Sequence, residues 1–305
     1  MTSSQLPEKQ TEQVTPAKRS KRSDPSVRSG GVFGFLRFAI LFIGALAALV
    51  PFYYMVIGAL QRKRDTSLLG LLPLPENLTL DNFMEINESV NLIGSLLNSL
   101  IFTAGVVACT LVFGLLVGYA LAALSFRGQG VVFALVLLVQ AIPFQLLMIP
   151  LYVMVVRYFG LADNFIGMIL PFAINSVAVL IFRQYFLQIP RDIFDAARID
   201  GASEVRILLF MAVPLVRPAV LTAMLVTFIG PWNEFLWPFL VTKDATKQTL
   251  AVSLANFSQA NGSFLENPMG AVLAGACVLA VPVVVLFLLF QRHFTSANLG
   301  SAIKG

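Results

Sequence analysis

The sequence predicts an all-α protein: a polytopic membrane helix bundle with six transmembrane helices and a short cytoplasmic helix between spans four and five. Three observations carry this. The 305 residues are 57% hydrophobic and only 12% charged, whereas soluble domains carry about 25% charged residues. Six apolar stretches reach the roughly 20 residues that a helix needs to cross a bilayer. None shows the period-2 alternation of a transmembrane barrel, so backbone groups in lipid must be satisfied within helices.

Residues 1–31 form a basic tail rich in Ser, Pro, Lys, Arg and Gln, with few large apolar residues. That composition predicts disorder. It does not read as a cleaved signal peptide, because the apolar run behind it is long and others follow. Residues 32–305 form one transmembrane domain, with spans at about 36–60, 97–123, 131–156, 165–185, 218–240 and 269–290. On span two, Gly114 and Gly118 lie four apart with Ala122 on the same face. Small residues at that spacing let helix backbones approach closely, although the pattern also arises by chance in apolar helices. Pro282 is expected to kink span six.

Loop charge sets the orientation. With the N-terminus inside, the inner segments hold fifteen of the 21 Lys and Arg residues, including Arg127, Arg191, Arg198, Arg206, Arg217 and Arg292. The outer segments hold Arg62, Lys63, Arg64, Arg157, Lys243 and Lys247. The positive-inside rule therefore puts both termini in the cytoplasm, with the Arg62–Arg64 cluster pulling locally the other way. The first outer loop, about 61–95, is otherwise acidic through Glu76, Asp81, Glu85 and Glu88. The net charge of +5 is not a nucleic-acid signal, because basic residues outside the tail are spread along loops.

Catalytic chemistry has little to build on. Cys109 and Cys277 each sit inside an apolar run and read as buried structural thiols. The single histidine, His293, follows the last span and reads as interfacial. No metal-ligand or nucleophile spacing is legible, so no catalytic or metal site is assigned and a membrane-embedded enzyme is disfavoured.

The segment from Asp195 to Pro214 concentrates charge between two apolar runs: Asp195, Asp200 and Glu204 with Arg198 and Arg206. Pro190 suits a first helical turn. Residues 191–199 then predict a helix of about 14 Å, with Ile193, Phe194 and Ala197 on one face. Gly201 is a natural stop that tolerates positive φ. A second helix is expected from Ala202 or Ser203, with Glu204 in its first turn and Pro214 and Pro218 breaking it before span five. On periodicity alone, an interfacial amphipathic helix without a partner remains open.

The spacing Asp195-Ala196-Ala197, Gly201 and Met211-Ala212-Val213-Pro214 resembles the cytoplasmic "EAA" loop of ABC-importer permeases. Ala196 through Ser203 is similar to the version in the carbohydrate-uptake branch. Leu96-Leu97-Asn98-Ser99-Leu100 resembles that family's opening of span two, and Phe126-Arg127-Gly128 the turn after it. Pro143 and Pro150 lie where the family's span three carries prolines. Trp232-Asn233-Glu234-Phe235 resembles the span-five signature, and Gly300 to Gly305 the family's ending. The likeness covers roughly 36–305 and is nearest to the smaller, six-span subunit of maltose-type and glycerol-phosphate-type importers. Asp195, Met211 and Val213 replace the usual Glu, Ile and Leu.

The resemblance implies a translocating subunit without catalytic residues and without a cofactor of its own. Its partners would be a second permease subunit, an ATPase homodimer carrying ATP and Mg, and an extracytoplasmic substrate-binding protein, all around membrane lipid. The chain lacks a Gly-rich loop ending in Gly-Lys-Ser/Thr and cannot cradle ATP phosphates by that route. The coupling helix would dock on the ATPase through Phe194, Asp195, Ala196, Ala197, Arg198, Asp200 and Gly201, with Phe194 as anchor and Asp195 and Arg198 pairing with partner charges at the rim.

Polar residues deep in a span mark a cavity or a helix contact. Gln140, Gln145, Asn175, Ser176, Asn233 and Glu234 are the substrate-path candidates. Amides and hydroxyls both donate and accept hydrogen bonds, which suits a neutral polyhydroxylated substrate. Phe228, Trp232 or Phe235 could stack on sugar faces, while Trp232 and Trp237 could equally belong to an outer aromatic belt. Glycerol-3-phosphate or a related polyol phosphate is the alternative substrate, though no deep Arg or Lys awaits a phosphate. A stand-alone secondary transporter would need inverted repeats and midplane ionisable groups, and neither is legible.

Overall fold

The computed structural model describes residues 32–65, 72, 74–260 and 265–302. The tail 1–31, residues 303–305 and the His293 side chain lie outside the described residues. The chain divides into two units, Met1–Val50 and Pro51–Gly305. Helix α1 (Val32–Leu60) begins in the first and ends in the second.

Among its described residues the second unit is built of helices joined by short connections. In order it holds α2 (Asp81–Val90), α3 (Leu92–Ala123), α4 (Gln129–Ala141), α5 (Phe144–Tyr152), α6 (Phe165–Ile169), α7 (Ser176–Phe186) and α8 (Arg191–Ile199). Then come α9 (Glu204–Ile207), α10 (Val213–Leu215), α11 (Arg217–Asn233), α12 (Leu236–Val241), α13 (Leu250–Ala260) and α14 (Pro268–Ala302). Among the described residues the one extended pairing is an isolated bridge between Gln61 and Leu78.

Three stretches, Gly34–Leu60, Leu92–Ala123 and Pro268–Gln291, are single helices long and apolar enough to span a bilayer. Bent helix pairs raise the count to as many as 6. The expected spans three and four are not straight. α4 meets the α5 segment at 94° across Ile142 and Pro143, because proline disfavours helix at the residue before it. The run through α6 to Phe172 meets α7 at 52°. There Asn175 leaves the helical region and its Oδ1 caps α7, accepting from the amides of Val177 and Ala178 at 2.9 and 3.2 Å. The expected fifth span also stops early: α11 ends at Asn233, with extended backbone at Glu234, and resumes as α12. α14 by contrast runs unbroken past Pro282.

Pro214 does not break the second loop helix as expected. α9 opens into a π-helical stretch, Leu208–Ala212, which passes into α10 with Pro214 inside. The wider turn relieves the clash of a proline ring with the preceding carbonyls. The break falls at Val216, and α11 leaves at 83° to the α9–α10 run.

α3 is the hub, packing against α7, α11, α6, α13 and α2. Its Gly114 and Gly118 form a true seam with α7. A Cβ on Gly118 would lie 2.7 Å from Phe182 Cβ and 3.1 Å from the Arg183 amide nitrogen. Cys109 and Cys277 are free and half-buried rather than fully buried.

Hydrogen bonds sort the connections into two ends. At one end the Arg198 guanidinium donates to the Ala123 carbonyl at 3.1 Å, joining the 190–204 loop to the end of α3. At the other, Asn98 Nδ2 donates to the carbonyls of Thr246 and Gln248 at 2.9 and 3.0 Å. There too the Asp244 amide donates to Asp163 at 2.8 Å. Asn82 Nδ2 donates to the Ala59 and Gln61 carbonyls, and Asn267 Nδ2 to that of Gln61, each at 2.8 Å.

Gly118→Leu is expected to destabilise the bundle by about 1–3 kcal/mol, the usual cost of overpacking. Gly230→Ala, whose Cβ would meet nothing within 4 Å, is expected to leave it unchanged. Thermal unfolding of the detergent-solubilised protein separates the two.

Candidate functional site

The charged loop is built as its sequence suggests. Pro190 is the N-cap of α8, and Asp192 and Arg198 sit in its first and last turns, each complementing the helix dipole. Gly201 takes φ +80°. The amides of Gly201 and Ala202 close the helix onto the carbonyls of Arg198 and Ala197, both at 3.0 Å. Ser203 then caps α9, its hydroxyl accepting from the Arg206 amide.

Of the residues expected to dock, Phe194 and Ala197 point into this chain and Asp195, Ala196 and Asp200 point outward. Phe194 is 3% exposed and Ala197 is buried, and both pack into the chain's own core with Phe186 and Ile207. The Tyr119 ring on α3 stands edge-on to Phe186 and Phe194, with centroids 5.7 and 5.9 Å away. Phe194 therefore anchors α8 to its own bundle. Ile193, expected on the buried face, is exposed. The outward face carries Asp192, Ile193, Asp195, Ala196 and Ile199, with Ile199 86% exposed.

The charges also close on themselves. Arg198 Nε donates to Glu204 Oε1 and Arg198 Nη1 to Asp195 Oδ1, both at 2.8 Å. Tyr119 OH donates to Glu204 Oε2 at 2.6 Å. Arg198 is thus paired within the chain. The hydrogen bond from Arg198 is the main cause holding the Glu204 carboxyl below its ordinary range, against a smaller opposing effect of burial. The same bond raises Arg198 above its usual value. Sequence reasoning gave Glu204 only a first-turn role and missed Tyr119. The legible signal was a tyrosine near the end of an apolar span, whose hydroxyl needs a partner when buried.

All six substrate-path candidates fall at the breaks in the helices. Gln140 and Gln145 flank the α4–α5 break and are exposed. Asn175 and Ser176 start α7, where Asn175 is occupied as a cap. Asn233 Nδ2 donates back to the Ile229 carbonyl at 2.9 Å, and Glu234 Oε1 accepts from the Trp237 amide at 3.2 Å. One aromatic cluster ties these breaks together. Phe144 lies 4.8 Å from Phe172 and 6.1 Å from Trp237, and Phe102 of α3 lies 6.0 Å from Phe172.

The tryptophans are neither a belt nor exposed platforms. Trp232 is 2% and Trp237 0% exposed. Trp232 Nε1 donates to the Leu279 carbonyl at 3.0 Å, and Trp237 Nε1 to the Met168 carbonyl at 3.2 Å. Each indole N–H satisfies a carbonyl of another helix, which fixes α11 and α12 against their neighbours.

Known proteins are similar to this chain in sequence and in fold. The family described as binding-protein-dependent transport system inner membrane component matches residues 110–296. The arabinooligosaccharides transport system permease protein AraQ of Halalkalibacterium halodurans is 33% identical over 86% of this chain and 93% of its own. The sn-glycerol-3-phosphate transport system permease protein UgpE of Agrobacterium fabrum is 28% identical over 84% of this chain and 92% of its own. A chain from the crystal structure of a bacterial ABC transporter involved in import of the acidic polysaccharide alginate superposes with a TM-score of 0.75. It is 26% identical, and the match covers 88% of this chain and 98% of that one.

The Glu204 joint gives a pH dependence with a definite sign. A carboxyl whose folded pKa is depressed contributes stability above its unfolded pKa, about 4.3, and loses it as pH falls through the lower folded value. Wild type is therefore expected to unfold at a higher temperature than Glu204→Gln at pH 7, with the gap closing below pH 4.

Proposed function

The chain belongs to the binding-protein-dependent transport system inner membrane components, the multi-pass membrane permeases of ABC importers, and we propose that it translocates a neutral sugar or oligosaccharide. It does so beside a second permease subunit. An ATPase homodimer holding ATP and Mg sits on the cytoplasmic side, and an extracytoplasmic binding protein delivers the substrate. Both termini of this chain are cytoplasmic in this reading, as the loop charge requires.

One observation carries the docking role. α8 is fastened from behind by Phe194, Ala197 and Arg198, while an apolar residue, Ile199, stands free on its outer face. A rigid helix with an exposed apolar contact and flanking acids Asp192, Asp195 and Asp200 is suited to seat in a cleft of a soluble motor. Asp195 and Ala196 belong to that face, and Gly201 ends the helix.

The sugar reading is supported by chemistry at the breaks. Gln140, Gln145, Asn175, Ser176, Asn233 and Glu234 offer amides, a hydroxyl and one acid, with no arginine or lysine among them. Broken helices are where transporters present polar backbone and side chains to substrate. A glycerol phosphate is the second reading, favoured by the 28% identity to a glycerol-3-phosphate permease; its charge would then be met by the other permease subunit.

The test is mass spectrometry of what copurifies with the tagged chain from native membranes in mild detergent. An ATPase and a second permease are expected with wild type. Ile199→Asp, at an exposed position, is expected to lose the ATPase by at least tenfold without lowering the unfolding temperature. Recovery of a stable, transport-competent chain alone would overturn the importer reading.

A further inference from the structure

We infer that α3 works as a connecting rod, clamped to the coupling loop at its inner end and to the 245–253 segment at its outer end, so that the two move together. The inference rests on the importer reading only for what drives the motion.

The inner clamp is polar and bidentate. Glu204 accepts from Tyr119 of α3 at 2.6 Å through one oxygen and from Arg198 of α8 at 2.8 Å through the other. Arg198 also reaches the last carbonyl of α3, that of Ala123. Both helices of the loop are thus bonded to one turn of α3, over a packed base of Tyr119, Phe186 and Phe194. Apolar packing alone lets a short helix slide, whereas charge-assisted bonds fix distance and direction.

The outer clamp lies near the other end of the same helix. Asn98 spans the carbonyls of Thr246 and Gln248. Ser99 Oγ accepts from the Leu250 amide at 2.9 Å, and Ser95 Oγ meets Ser253 Oγ at 2.9 Å. Three successive polar side chains of α3 therefore hold the segment that leads into α13. Between the clamps α3 runs uninterrupted, with no proline within Leu92–Ala123. A continuous helix transmits displacement along its axis, while the neighbouring spans with breaks at Pro143, Asn175 and Glu234 are free to bend. Motion imposed on α8 then reaches the outer segment through α3, and the breaks take up the difference.

The experiment uses the intact complex, purified through this chain with Cys109→Ser and Cys277→Ser. Spin labels are placed at Arg191→Cys at the start of α8 and Ala245→Cys beside the outer clamp, roughly 45 Å apart by the length of α3. Their separation is measured by pulsed electron paramagnetic resonance without nucleotide and after trapping with ATP, Mg and vanadate. The wild-type distribution is expected to stay narrow and unmoved. Glu204→Gln and Tyr119→Phe at the inner clamp, and Asn98→Ala at the outer, are each expected to broaden and shift it. A wild-type shift of a helical turn, roughly 5 Å, would overturn the proposal, as would variants indistinguishable from wild type. Should no ATPase copurify, the importer reading fails instead. The rod is then judged on the free chain, where a wild-type distribution as broad as those of the variants would overturn it.

Discussion

Glu204 joins three helices through two oxygens. One holds Tyr119 of α3 and the other Arg198 of α8, while the residue itself opens α9. The loop between α7 and α11 concentrates charge, and without an internal counter-charge Arg198 would be left beside a buried aromatic base. With the joint made, the same charge becomes a fastening. Everything assigned to the loop depends on that: the outward pose of Ile199, the inward pose of Phe194, and a defined path from the loop into the bundle.

The bundle behind the joint divides its labour between rigid and broken elements. α3 and α14 are continuous, and α3 approaches α7 through Gly114 and Gly118 closely enough that a side chain at Gly118 has no room. The α4–α5, α6–α7 and α11–α12 segments are interrupted, and Phe144, Phe172 and Trp237 gather their broken ends around Phe102 of α3. Backbone amides near the interruptions are satisfied by capping, as at Asn175 and Glu234. A substrate path through such breaks meets polar groups without an exposed backbone in lipid.

Hydropathy alone made the six apolar runs legible, because crossing a bilayer demands length and composition that no other context does. The short helix at 191–199, its stop at Gly201 and the cap near Ser203 were also legible, since each rests on local backbone chemistry. The breaks were not. Pro143 was visible, but whether a proline bends a span by a few degrees or by 94° depends on what receives the two halves. Pro214 misled for the opposite reason, as a π turn ahead of it absorbed the clash. The facing of α8 was hidden for a third reason. The apolar stripe through Phe194 and Ala197 says that one face is buried, but only tertiary structure says whether in this chain or in a partner. α2 and α13 escaped notice because they are short helices of mixed composition at the end of α3 away from α8, fixed by Asn82, Asn98 and Ser99 rather than by an apolar run.

In the proposed docking the loop is fastened by its own chain and meets the motor with its outer face. An electron cryomicroscopy structure of the complete transporter tests it most directly. The account requires Phe194 beneath Tyr119 and Phe186, the Glu204 joint closed, and Ile199 in contact with the ATPase. A structure with Phe194 withdrawn from its own core and inserted into the ATPase, and Arg198 paired with an acid of that partner, would contradict it.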